Sequence, residues 1–288
     1  MIRIGALLVL TLVALLAISP KAISAESYDN CTGFVTSVPA VINTQGTWCL
    51  KNDLATAMTS GAAITINTNN VTLDCNNFKL GGLAAGVATQ TNGIYSMDRS
   101  NITVRNCNIR GFMYGLLLND SISSTLGGHV VEDNRFNSNT FSAIVVIGEG
   151  SVIRRNLVFD TGGSTVAQQA YAIQTNYSAD VLDNTVSGVE GTGGTTGGIS
   201  TANNTGGSIS GNRIRGVLRG GTDFAYGIYN FFDSRLTMRD NDLTGDASAG
   251  SLGLHCETAT DHARGNVIVG YATGLDGCTD DGGNVVAP

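Results

Sequence analysis

The sequence predicts an all-β solenoid: a stack of about eight to nine coils, each of three short strands, behind an N-terminal cap. Three observations carry that expectation. Gly is abundant at 38 residues, Pro scarce at 3 and charged residues only 14%, while Thr, Val, Ile and Asn fill short segments. Such a composition suits strands joined by tight turns and lacks the Ala, Leu, Glu and Lys that long helices need. A phrase also recurs, VTLDCNNFKL at 71–80 and ITVRNCNIRG at 102–111, and its apolar residues fall in columns that persist along the chain.

The elements follow in chain order. Arg3 and the apolar run Ile4 to Ile18 precede the small residues Ala22-Ile23-Ser24-Ala25, so residues 1–25 read as a secretory signal peptide. The run is short for a membrane span, and no span is expected in the mature chain, which is placed as secreted or periplasmic. Residues 26–63 depart from the repeat pattern and are expected to cap the open end of the solenoid. Residues 64–288 are expected to form the coils. Six cysteines, an even count in an exported chain, point to disulfides, and the lack of any C-x-x-C pair speaks against a zinc ribbon. A formal net charge of −7 argues against a nucleic-acid partner, which needs a basic footprint.

The repeat is marked by an Asn with an apolar residue three before it and another two after it: Asn76, Asn134, Asn156, Asn184, Asn212, Asn241 and Asn266. Cys107 takes the same place in the second phrase, and Asn284 opens a truncated last one. Three before the marker stand Leu73, Val104, Val131, Ile153, Val181, Ile209, Met238 and Ala263. Two after it stand Phe78, Ile109, Phe136, Val158, Val186, Ile214, Leu243 and Ile268. A third column pairs a small residue with an apolar one, from Gly93-Ile94 and Gly115-Leu116 through to Gly253-Leu254 and Gly274-Leu275. Three apolar columns imply three strands per coil.

With these columns the chain resembles the right-handed parallel β-helix of the pectate-lyase-like superfamily, over about residues 64–286. The resemblance implies that the Asn column is an internal ladder at the turn between second and third strands, each amide bonded to its neighbours above and below. Cys107 would break that ladder, with a link to Cys75 as compensation. Cys31 and Cys49 would staple the cap, and Cys256 and Cys278, at neighbouring positions of the last two full coils, would lock the C-terminal end. Free buried thiols are the alternative for each pair.

The resemblance also places carbohydrate sites on the first-strand face. Alternation turns Gln174, Asn176, Tyr229, Phe231, His255, Glu257 and Asp276 outward there. The C-terminal half of this face gathers aromatic rings with proton-exchanging groups; the other half reads as bland. His255, Tyr229, Glu257 and Asp276 are therefore the candidate catalytic residues, His255 or Tyr229 as base. Phe231, Gln174, Asn176 and Arg235 are candidates for substrate contact, Arg235 for charge neutralisation. Glu257 and Asp276 could hold a cation, although two carboxylates are few for calcium; calcium is possible but no metal or cofactor is indicated by the sequence. The expected partner is an extracellular polysaccharide. The implied chemistry is β-elimination or C5 epimerisation of a uronate, and a non-catalytic structural or adhesive solenoid is the alternative. The Asn-Thr-Asp and Gly-His-Gly motifs of pectinolytic hydrolases and the Asp-Pro-His-Asp motif of mannuronan epimerases are missing, which leaves catalysis itself open. A second outward column, Asp74, Arg105, Glu132 and Arg154, alternates in sign and reads as a stabilised solvated face; with Arg110, Arg135, Arg213 and Arg215 it is alternatively a track for an anionic polymer. His129 and His262 are expected to be structural.

Overall fold

The computed structural model describes residues 28–120, 126–203, 206–232 and 235–288, so the expected leader lies outside the described residues. The described chain forms three parallel sheets of 11, 10 and 10 strands, and each strand pairs with its counterpart on the next coil. This is a parallel β-helix. Within residues 26–63, expected as a cap, strands already join these same sheets, with Gly33–Val35 on Gly46–Leu50 and Ala40–Ile42 on Ala62–Ile66. Among the described residues no helix is long and apolar enough to cross a membrane.

The columns read from the sequence stand in register. In the first sheet Ile94, Leu116, Ile144, Ile173, Ile199, Ile228, Leu254 and Leu275 are successive partners. In the second, Leu73 to Ala263 run likewise. All but the partly buried Leu275 lie in one continuous apolar core. Burying each larger aliphatic side chain stabilises by roughly 1.5–3 kcal/mol, so the stacked columns are the main cohesive term.

The third column holds with one correction. Leu80, not Phe78, is the partner of Ile109 and is fully buried. Asn76 and Asn77 both take left-handed backbone conformations, at φ 48° and 64°. The first turn is thereby longer than the others, and the strand it feeds, Lys79–Gly81, starts late. Asn76 accordingly stays out of the ladder: its amide donates to the Leu50 carbonyl at 3.2 Å. Cys75 is the buried residue beneath Cys107, and the two are disulfide-bonded. Cys31–Cys49 and Cys256–Cys278 are the other two disulfides, with no free cysteine among the described residues. Three disulfides fit a protein that folds in an oxidising compartment.

From Asn134 to Asn284 the ladder is continuous. Each Asn side-chain amide donates to the Oδ1 of the next, as Asn156 does to Asn184 at 3.0 Å, and the same oxygen accepts the main-chain N–H of Asn156 at 2.9 Å. The second amide hydrogen goes to a carbonyl one coil back, Val131 O for Asn156 at 2.9 Å. All four hydrogen-bonding positions of an interior ladder side chain are thus filled. The residue before each ladder position is left-handed: Asn106, Asp133, Arg155, Asp183, Gly211, Asp240, Gly265 and Gly283. Gly, Asn and Asp tolerate that conformation best. Arg155, the exception, bonds Asp133 and Glu132 at 2.8 and 2.9 Å.

Candidate functional site: an aromatic groove on the first-strand sheet

The outward face of the first sheet carries side chains from strands Tyr114–Asn119, Ser142–Ile147, Ala170–Asn176, Thr196–Ala202 and Ala225–Phe231. Between them lies a groove of about 510 Å³, walled by Tyr114 and Phe141 at one end and by Phe231 and Phe232 at the other, with Gln174 and Asn176 on its floor. The half of the face expected to be bland is therefore the concave half. It is also aromatic. Tyr114 and Phe141 meet edge-on at 5.1 Å, and Phe141 and Tyr171 at 5.9 Å. Gly197, the strand partner of Tyr171, makes room for that ring, since a Cβ there would come within 2.9 Å of it. Tyr114, Phe141, Tyr171 and Tyr226 escape the sequence reading because they lie ahead of the small-apolar pair that was taken as each strand's start. The strands begin earlier, as Ala170–Asn176 and Ala225–Phe231 show.

Of the sequence candidates, Gln174, Asn176 and Phe231 line this groove. The Asn176 carbonyl oxygen accepts from Tyr177 N–H at 2.9 Å and from the Asn203 amide at 3.1 Å. Its own amide is thereby turned to other work.

The structure brings Tyr229, His255, Glu257 and Asp276 together on the coils beyond. The Tyr226 and Tyr229 rings stack at 4.3 Å, and Tyr229 lies against Phe231 at 3.6 Å, joining this cluster to the groove. The Tyr229 hydroxyl donates to Glu257 Oε1 at 2.8 Å, and Phe232 N–H donates to Oε2 at 3.0 Å. These bonds hold the Glu257 carboxyl below the usual range, the Phe232 N–H contributing most. Burial first, and the Glu257 bond next, push the Tyr229 phenol well above its ordinary value. Tyr229 is therefore a neutral donor at physiological pH and is unsuited to the role of base. The His255 ring lies 5.0 Å from that of Tyr229, and its Nδ1 is 2.6 Å from Asp276 Oδ2. With Nδ1 engaged, Nε2 is the nitrogen left to exchange a proton. Arg235 enters none of these contacts. Among the described residues no three His, Cys, Asp or Glu side chains converge to hold a metal ion.

The alternating charges of the second sheet pair across coils, Arg105 with Asp74 at 2.8 Å and Arg154 with Glu132 at 2.7 Å, with the arginines exposed and the carboxylates largely covered. Each such half-exposed pair contributes on the order of 1 kcal/mol.

His129 is buried, and its Nδ1 accepts the Ile102 N–H at 3.3 Å. Burial lowers its pKa from 6.5 to about 4. Between those values the unfolded chain binds a proton that the folded chain refuses, so stability falls as pH drops through that window, by about 3 kcal/mol in all. His129→Asn preserves an acceptor for Ile102 and removes the titration. Its urea midpoint is expected to change much less than the parent's between pH 7 and pH 4. Equal changes in the two proteins would refute the role given to His129.

No protein-family model matches the chain, and no curated protein does. Solved structures share its fold. The catalytic domain of Agl-KA superposes with a TM-score of 0.53 at 12% identity, covering 88% of this chain and 59% of that one. The A-module of the Azotobacter vinelandii mannuronan C-5 epimerase AlgE4 gives 0.48 at 11%, covering 89% and 87%. The tailspike of Escherichia coli bacteriophage HK620, solved with a hexasaccharide, gives 0.43 at 12%, covering 88% and 53%. The chain thus spans about three fifths of the Agl-KA domain, and what it shares with that domain is the fold.

Proposed function

We propose that this is an exported β-helix protein that binds an extracellular polysaccharide along the groove of its first sheet. The observation that carries the reading is the groove itself: a concave strip across five strands, with aromatic rings at both ends and amide side chains between. Strands lie about 4.8 Å apart, so the strip runs roughly 19 Å along the solenoid axis, the length of a few sugar rings. Aromatic faces stack on the C–H faces of sugars, and amides both donate to and accept from hydroxyls. A flat face would instead have favoured a purely structural or adhesive solenoid. If the bound chain is processed, His255, oriented by Asp276 just beyond the groove, is the group that moves the proton.

Phe231→Ala and Tyr114→Ala are each expected to weaken glycan binding about 5- to 10-fold through loss of a stacking face. Glycan-array capture followed by titration calorimetry is the measurement. If both variants bind every glycan as the parent does, the site is not this groove. His255→Ala separates the roles: retained binding with lost turnover marks a processing enzyme, and unchanged binding with no turnover in the parent marks a binding protein.

A further inference from the structure

The groove is uncharged. Among the described residues no Lys, Arg, His, Asp or Glu lines it. Burial pushes the Tyr114 phenol upward, so it too stays neutral. Several of the chain's arginines are paired on other faces. Arg105 and Arg154 pair with Asp74 and Glu132 on the second sheet, and Arg213 and Arg215 lie 3.4 and 3.7 Å from Asp242 on the third. Beyond the groove's C-terminal end stand two carboxylates, Glu257 bonded by Tyr229 and Asp276 paired with His255. The chain as a whole is at −7.

We infer that the groove takes an uncharged glycan, a run of neutral sugars, and discriminates against uronate and sulfated polymers. The inference rests on the groove being the carbohydrate site. A carboxylate moved from water onto walls of Phe, Tyr, Val and Ile loses hydration, and nothing in the groove replaces it with a cation. It also meets a protein of net charge −7. A neutral sugar has no such cost: its C–H face covers the rings, and its hydroxyls meet Gln174 and the Asn176 amide. Lysis or epimerisation of a uronate requires the sugar carboxylate to be neutralised, and no described group in the groove does this. The uronate chemistry implied by the sequence resemblance is therefore the reading that this face supports least.

The test is titration calorimetry of the exported chain with gluco-, manno- and galacto-hexasaccharides and with the same oligosaccharides oxidised at C6 to carboxylates, after a glycan-array screen of neutral and acidic polymers. At least one neutral member is expected to bind, with an affinity that moves less than about twofold between low and high salt, and its acid counterpart at least about tenfold more weakly. In Gln174→Arg the acid form should gain until it matches or exceeds the neutral one. Equal or tighter binding of the acid form to the parent, weakening with salt, overturns the inference while leaving the carbohydrate site standing. So does a Gln174→Arg variant that discriminates as the parent does. Capture of neither class of glycan, on the array or in solution, overturns the carbohydrate reading itself, and the inference with it.

Discussion

Ile214→Asp is expected to unfold the protein at room temperature, seen as loss of the cooperative transition in circular dichroism. Ile214 is fully buried between Val186 and Leu243 in the third column. The first sheet closes on it so tightly that a Cβ on Gly198 would come within 2.7 Å of its side chain. The substitution removes a buried aliphatic side chain and leaves an ionised group with no partner in the stack. Together these exceed roughly 5 kcal/mol, the lower end of a domain's whole stability. In a solenoid each coil is held mainly by its neighbours, so a break at an interior coil is felt by the coils on both sides. Val286→Asp supplies the control. It occupies the same column at the C-terminal end, next to Ile268, but is 51% exposed, and its variant should lie within about 1 kcal/mol of the parent. Similar midpoints for Ile214→Asp and the parent would mean that the column has been misplaced.

What the chain discloses in advance depends on how often a feature repeats and how local its cause is. The three core columns were legible because each coil must bury the same positions, so an apolar preference recurs wherever a strand does. The slip at Asn76 and Phe78 arose where one turn carries two left-handed residues in place of one, a difference of backbone that the apolar pattern does not record. The left-handed column ahead of the ladder was visible as Asn, Asp or Gly before nearly every marker, and Arg155 hides it by using ion pairs where others use a permissive residue. The cluster beyond the groove was legible because His255, Glu257 and Asp276 stand out by residue type and alternation. The groove was not, because concavity is made by the relative heights of Tyr114, Phe141, Phe231 and the small residues between them, and no single position in the sequence states a height.

Asn184→Leu is expected to destabilise the solenoid by about 2–6 kcal/mol, although leucine keeps asparagine's branched outline. Asn184 Oδ1 accepts two hydrogen bonds, from the main-chain N–H and the side-chain amide of Asn156, and its own amide donates to Ile153 O at 2.9 Å and to Asn212 Oδ1 at 3.0 Å. Leucine leaves the Asn156 N–H and one hydrogen of the Asn156 amide without acceptors, each costing about 1–3 kcal/mol. Asn184→Asp keeps the acceptors but sets a carboxylate against Asn212 Oδ1, so it should recover part of the loss as the pH falls and the group takes up a proton to donate. Cys107 shows why the ladder can stop without this cost. Its N–H still donates to Asn134 Oδ1 at 2.9 Å, and Asn134 still reaches Val104 O at 2.9 Å. On the coil below, the Cys75 N–H finds the Arg105 carbonyl at 3.1 Å, so no donor there awaits a side-chain oxygen at position 107. A ladder oxygen is therefore required only where a main-chain N–H on the coil beneath points at it. Cys107→Asn in a background with Cys75→Ala should accordingly restore far less than Asn184→Leu removes, measured as the shift in urea midpoint. A full rescue of stability would show instead that the amide, and not the backbone of the first long turn, decides what stands at the foot of the ladder.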